Sequence, residues 1–261
     1  MRDVTPQGFV GALALVAASA ANAVPLAVAF DPAAAGLGSG AFLADAFVGE
    51  EVSVIRSLPR TFDPATGTLQ WRESGYTNIT AAMLGSQLQP TGLGTDYTLY
   101  VEFTLEGIQT LAGTGYATAG RVDLYGVEGV STFAIDTSRL LPRATASHAG
   151  TPQQLATIEL TPAGFLTFPY EDGIGATLAG SLLPVSPFFA AGGPIDVRGA
   201  FLHPSGLTSL YGGAVIVVEG GDDRLTFQSP VPEPATAMLW LAGAAGAAVL
   251  RRARIGATCR C

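Results

Sequence analysis

From Tyr97 the chain alternates without error: Leu99, Val101, Phe103 and Leu105 fall on one side, and Thr98, Tyr100, Glu102 and Thr104 on the other. A period of two is the mark of a strand with one face in a core. Residues 195–202 alternate less cleanly, and 214–218 form a continuous apolar run suited to a central strand. Shorter candidates lie at 26–30, 41–47, 51–55, 68–72, 121–125, 132–135, 156–160, 165–168 and 225–228. Turn chemistry separates them, as in Asp63-Pro64-Ala65-Thr66-Gly67, Thr91-Gly92-Leu93-Gly94-Thr95, Gly192-Gly193-Pro194 and Gly220-Gly221-Asp222-Asp223. Residues 77–88 are the one stretch with a helical period, enough for about three turns. Residues 138–152 read as a long loop, and no repeat recurs at a fixed spacing. Many short strands punctuated by Gly and Pro predict an all-β domain, an antiparallel β-sandwich.

The two ends break this pattern. Residues 9–18 are apolar behind Arg2, and Ala21-Asn22-Ala23 before Val24 is a small-x-small cleavage site. Residues 1–23 therefore read as a signal peptide. At the other end Val231-Pro232-Glu233-Pro234 precedes the uncharged run 235–250, which Arg251, Arg252 and Arg254 follow. The prolines hold Glu233 extended and out of helix. Sixteen residues of helix span about 24 Å, which flanking residues can extend toward a bilayer of about 30 Å. Arginines directly after such a span act as a stop and stay in the cytoplasm. A plain C-terminal anchor satisfies the same pattern.

Between the ends lies a body of 207 residues, 24–230, whose 19 acids and eight arginines give it a net charge of −11. That makes nucleic acid and anionic membrane surfaces poor partners. The chain has no lysine, which removes a phosphate-loop lysine, a Schiff base and the Ser-x-x-Lys nucleophile. Its two cysteines, Cys259 and Cys261, fall in the short tail 255–261, so the body holds no disulfide or thiol nucleophile. The histidines His148 and His203 accompany no Gly-x-Ser-x-Gly elbow and are too few for zinc. Asp/Gly turns at Gly221-Asp222-Asp223 and Glu171-Asp172-Gly173 offer oxygens for calcium but no full loop pattern. A glycosidase pair drawn from distant strands leaves no local signature. No catalytic residue, metal ligand or cofactor is assigned.

The order prolines, apolar helix, arginines resembles the sorting tail of the PEP-CTERM proteins, with residues 231–254 as the signal. That resemblance implies export by a Gram-negative bacterium and handling by an exosortase at the inner membrane. This chain continues past the arginines, where such tails usually stop. Phe30-Asp31-Pro32, Gly40-Ala41-Phe42-Leu43-Ala44-Asp45 and the 97–103 strand resemble the flocculation-associated subset of that family. The implied function is non-catalytic, at the cell surface or in the exopolysaccharide matrix, in support of flocculation or biofilm. A carbohydrate-binding adhesin is the alternative, and a secreted glycoside or ester hydrolase a further one. Tyr100 and Tyr125 fall on the polar side of their strands, and Trp71 and Tyr76 sit among polar residues. These four rings are the candidates for glycan stacking on a water-facing sheet, against the alternative that they pack beneath a loop.

Overall fold

The computed structural model describes Pro25–Ser229 except Ser39 and residues 171–172, 204–206 and 212–213. Residues 1–24 and 230–261 lie outside the described residues, and with them the expected signal peptide, sorting tail and membrane helix. No helix among the described residues is long and apolar enough to cross a membrane.

The described chain is all-β. A small hairpin pairs β1 (Val28–Phe30) with β2 (Phe42–Ala44). The main sheet contains β3 (Ala46–Asp63), β4 (Thr68–Leu84), β5 (Gln87–Leu88), β6 (Tyr97–Thr110) and β7 (Gly115–Glu128). A second hairpin, β8 (Thr132–Asp136) with β9 (Arg143–Ser147), stands apart from it. The main sheet then resumes with β10 (Gln153–Tyr170), β11 (Gly173–Pro184), β12 (Ile195–His203), β13 (Leu207–Leu210), β14 (Val215–Glu219) and β15 (Asp222–Gln228). The expected strands are found, with 41–47 divided between β2 and the start of β3 and with 156–160 and 165–168 merging into β10, while β5, β9, β11 and β13 were not foreseen.

The expected two-sheet sandwich does not form. Strands β3, β4, β6, β7, β10, β11, β12 and β15 pair in that order, all antiparallel, and β15 pairs back onto β3 to close an eight-stranded barrel. Sandwich and barrel share one alternation, so the pattern along a strand does not separate them; closure depends on the pairing of 46–49 with 223–226. The expected helix at 77–88 is also corrected, since Thr77 to Leu84 continue β4, paired with β3 as far as Met83, with β6 as far as Ile79 and with β5 at Met83 and Leu84. Thr80 is an extra residue in that ladder, between Ala81 opposite Val48 and Ile79 opposite Gly49. The bulge shifts the phase, so that Thr77, Ile79 and Ala82 are buried. That spacing imitates a helix. Within the expected loop 138–152, β9 forms a short strand.

Apolar side chains point inward and polar ones outward. Leu99, Val101, Phe103 and Leu105 of β6 are buried in the main core, whereas Glu102 and Thr104 between them are exposed. A membrane barrel shows the reverse polarity, apolar toward lipid and polar toward the lumen. One end of the barrel is plugged. Phe30 of β1 is fully buried and meets Phe42, Phe47, Phe188, Phe189 and Phe227 at ring distances of 5.0–5.4 Å. Backbone bonds from Asp31 to Phe188 and from Ala190 to Ala29 fix this plug, both donors being N–H groups.

Candidate functional site

The plug leaves a chamber in the rest of the barrel. Its volume is about 860 Å³, and its wall is mostly Ile, Leu, Val and Phe from all around the ring. Eight strands are near the smallest number that can enclose a small ligand, and ligand sites typically occupy about 300–1,000 Å³. The mouth lies at the unplugged end, where Phe62, Leu111 and Tyr211 line the cavity while remaining 42%, 75% and 58% exposed. Tyr211 holds a positive φ of 52°, a strained conformation for a side chain of its size. Its hydroxyl donates to the carbonyl of Leu140, which ties the mouth to the outer loop.

Midway down the barrel the apolar wall is interrupted by acids. Glu51 of β3, Glu73 of β4 and Asp223 of β15 line the cavity and are 4%, 7% and 2% exposed. The local reason is register: Asp223 lies opposite Gly49, two residues before Glu51, and Glu73 lies opposite Ile55, four residues after it, so inward positions of three neighbouring strands carry the acids in a stagger across β15, β3 and β4. The Ser53 hydroxyl donates to Glu73 Oε1 at 3.0 Å, and the Thr77 hydroxyl donates to Asp223 Oδ2 at 3.0 Å. Burial pushes the Glu73 carboxyl well above the usual carboxylate range, and the charge of Glu51 and a hydrogen bond with it push further. Burial and its acidic neighbours thus both favour the protonated form of Glu73. Trp71 of β4 lies in the same wall, 1% exposed, and its indole N–H has no acceptor among the described residues. Gly107, opposite Trp71 on β6, makes room for the ring: a Cβ there would stand 2.6 Å from two of its carbons.

Trp71 thus corrects the expectation of a water-facing ring. Its strand alternates Leu69, Trp71 and Glu73 inward with Gln70 and Arg72 outward, and the polar neighbours belong to the other face. The other three rings do lie on the outer face, but as a packed group. Tyr100 is stacked between Tyr125, at 5.3 Å and 14°, and His148, at 5.1 Å and 18°. Phe133 of β8 covers Tyr100 at 5.3 Å and Tyr76 at 5.4 Å, so that Tyr100 is only 2% exposed. For Tyr100 the water-facing expectation fails because the 131–148 segment folds over it. Tyr76 and Tyr125 keep a half-buried edge. Burial raises all three phenols, and the Glu102 charge adds to it. His148 Nδ1 meets the Ser131 hydroxyl at 3.0 Å, and burial lowers its affinity for a proton.

The carboxyl group of three was missed in the sequence because its members lie 22 and 150 positions apart. The one available signal was an acid at an inward position of an otherwise apolar alternation. Of the calcium candidates, Asp223 points into the barrel, Asp222 is exposed, and residues 171–172 lie outside the described residues. Among the described residues no three His, Cys, Asp or Glu side chains are grouped to hold a metal ion. The side chain of His203, the cleavage residues Ala21, Ala23 and Val24, the motif Val231, Pro232, Glu233 and Pro234, and the stop residues Arg251, Arg252 and Arg254 also lie outside the description.

Fold and site together define an antiparallel β-barrel with a plugged floor and an acid-lined interior. Comparison with known proteins returns no matching family model, no matching curated protein and no matching solved structure.

Proposed function

We propose that this chain is a non-catalytic exported protein of the cell surface or exopolysaccharide matrix, sorted by an exosortase and supporting cell aggregation. One observation carries the reading: the ordered tail of Val231-Pro232-Glu233-Pro234, the apolar run 235–250 and the arginines. In this reading 235–250 spans the inner membrane before processing, and the barrel is delivered to the outside. A barrel held by its own core, with no cysteine between residues 24 and 230, suits an exterior where no disulfide is needed. Intact-mass measurement of secreted protein should give a C-terminus near Pro232 to Pro234. A mass that includes Arg254 overturns the sorting reading in favour of a plain anchor. Deleting the gene should loosen cell aggregates and leave polysaccharide length unchanged; longer polysaccharide in the deletion strain makes the protein a hydrolase.

A carbohydrate-binding adhesin is the second reading, favoured by the half-buried edges of Tyr76 and Tyr125, which both pack against Tyr100 on the outer face. Replacing both by alanine should weaken pull-down on purified exopolysaccharide by about 1 kcal/mol per stacked ring. Unchanged pull-down assigns the rings to packing alone.

A further inference from the structure

We propose that the barrel interior is a binding site for one uncharged, elongated apolar molecule that carries an acceptor oxygen such as a carbonyl. The Trp71 indole N–H donates to that oxygen, and the hydrocarbon body lies along the wall between Trp71 and the mouth. This site is independent of how the chain is sorted.

The wall selects the body. On the mouth side of the acids the cavity is lined by Ile55, Leu69, Leu105, Phe165 and Phe201. Such a surface gives water few hydrogen-bond partners and gives a hydrocarbon chain continuous contact. A volume of about 860 Å³ suits a small organic ligand. The exposed apolar rim of Phe62, Leu111 and Tyr211 offers such a molecule a route in.

Trp71 selects the head. Thr68, at the start of β4, pairs with Asp63 and Thr110 beside the rim, so the order Leu69, Trp71, Glu73 sets the indole between the rim and the acids. Its N–H is buried with no acceptor among the described residues, a rare state for a buried donor. The hydroxyl donors nearby are already engaged, Ser53 with Glu73 and Thr77 with Asp223. An N–H calls for a lone pair, which a carbonyl, ester or ether oxygen supplies and an ammonium does not. A carboxylate also has lone pairs, but the charges of Glu51 and Asp223 that raise Glu73 act against a second anion in the same way. The oxygen that fits is uncharged.

The test uses three probes that share a hexyl body: 2-octanone, 2-methyl-1-octene, in which a methylene group replaces the carbonyl oxygen, and heptanoate. The readout is the indole proton resonance of the full chain, whose two tryptophans are Trp71 and Trp240, with Trp71→Phe identifying the signals. Saturation with 2-octanone should move the Trp71 indole proton downfield, and 2-methyl-1-octene should not. Trp71→Phe, with circular dichroism confirming the fold, should bind 2-octanone about fivefold more weakly, the loss of one neutral hydrogen bond. The same variant should hold 2-methyl-1-octene within twofold of the parent, and heptanoate at pH 8 should bind the parent at least tenfold more weakly than 2-octanone. The proposal is overturned if no probe binds, if saturating 2-octanone leaves the Trp71 proton in place, if Trp71→Phe alters both neutral probes equally, or if heptanoate binds as tightly as 2-octanone. The resonance shift is read on the parent chain and does not depend on the variant folding. None of these outcomes bears on the mass or deletion experiments above.

Discussion

Truncating Phe30 to alanine should destabilise the barrel more than any change at its mouth. The ring is fully buried and touches five other phenylalanines, drawn from β2, β3, β15 and the 186–190 segment. Losing its transfer free energy costs about 2 kcal/mol. The void left behind adds to that. Phe47 and Phe227 are held by ladder pairing on the barrel wall and cannot collapse inward, so roughly 80 Å³ should persist, adding about 2 kcal/mol at about 24 cal/mol per Å³. The total, about 4 kcal/mol, corresponds to a fall in Tm of roughly 8–16 °C for a domain of this size. Thermal unfolding followed by near-ultraviolet circular dichroism measures it. Phe62→Ala at the mouth is the control, and 42% exposure there predicts a change of about 0.5 kcal/mol. A fall below about 3 °C for Phe30→Ala, or equal falls for both variants, would show that the phenylalanine plug does not hold the barrel together.

Gly107→Ala should cost about 3 kcal/mol and alter the Trp71 signal, because the new Cβ meets the Tyr116 carbonyl oxygen at 2.3 Å and the indole at 2.6 Å. Gly67→Ala, with open space but a φ of +66°, should cost only about 1 kcal/mol; equal costs would sink the packing argument. Glu73 has a raised folded-state pKa, so its contribution is fully present below the ordinary value of 4.5 and is lost as pH rises. The stability of Glu73→Gln relative to the parent should therefore grow from pH 4 to pH 8, and parallel melting curves would contradict the assignment. His148 has a lowered one, so its contribution is present above 6.5 and is lost as pH falls. His148→Phe keeps the stack on Tyr100 and should gain on the parent below that pH; a constant difference places the ring in solvent.

The sequence by itself determined most of the strand segments and, on the clean alternations, which side chains share a face. Leu99, Val101, Phe103 and Leu105 are inward because a pleated backbone sends every second side chain the same way. The Gly and Pro clusters at 63–67 and 220–221 likewise settled where the chain turns, since those positions need φ values or rigidity that few residues supply. It misled at 77–84, where one bulged residue converts strand spacing into apparent helix spacing, and pairing of 81–83 with β3 and of 83–84 with β5 outweighs the helical preference of Ala81, Ala82, Met83 and Leu84. It misplaced Trp71 because polar neighbours in sequence are, on a strand, residents of the opposite face.

Only the tertiary structure decided what the strands enclose. Alternation is the same for a sandwich and a barrel, and the difference rests on β15 pairing with β3 across most of the chain. That one long-range ladder sets Asp223 beside Glu51 and Glu73, and it places Phe227 over Phe47 at 5.0 Å in the floor. Period-two patterning records a face and no partner, so neither the acid cluster nor the chamber it lines exists at the level of any single segment.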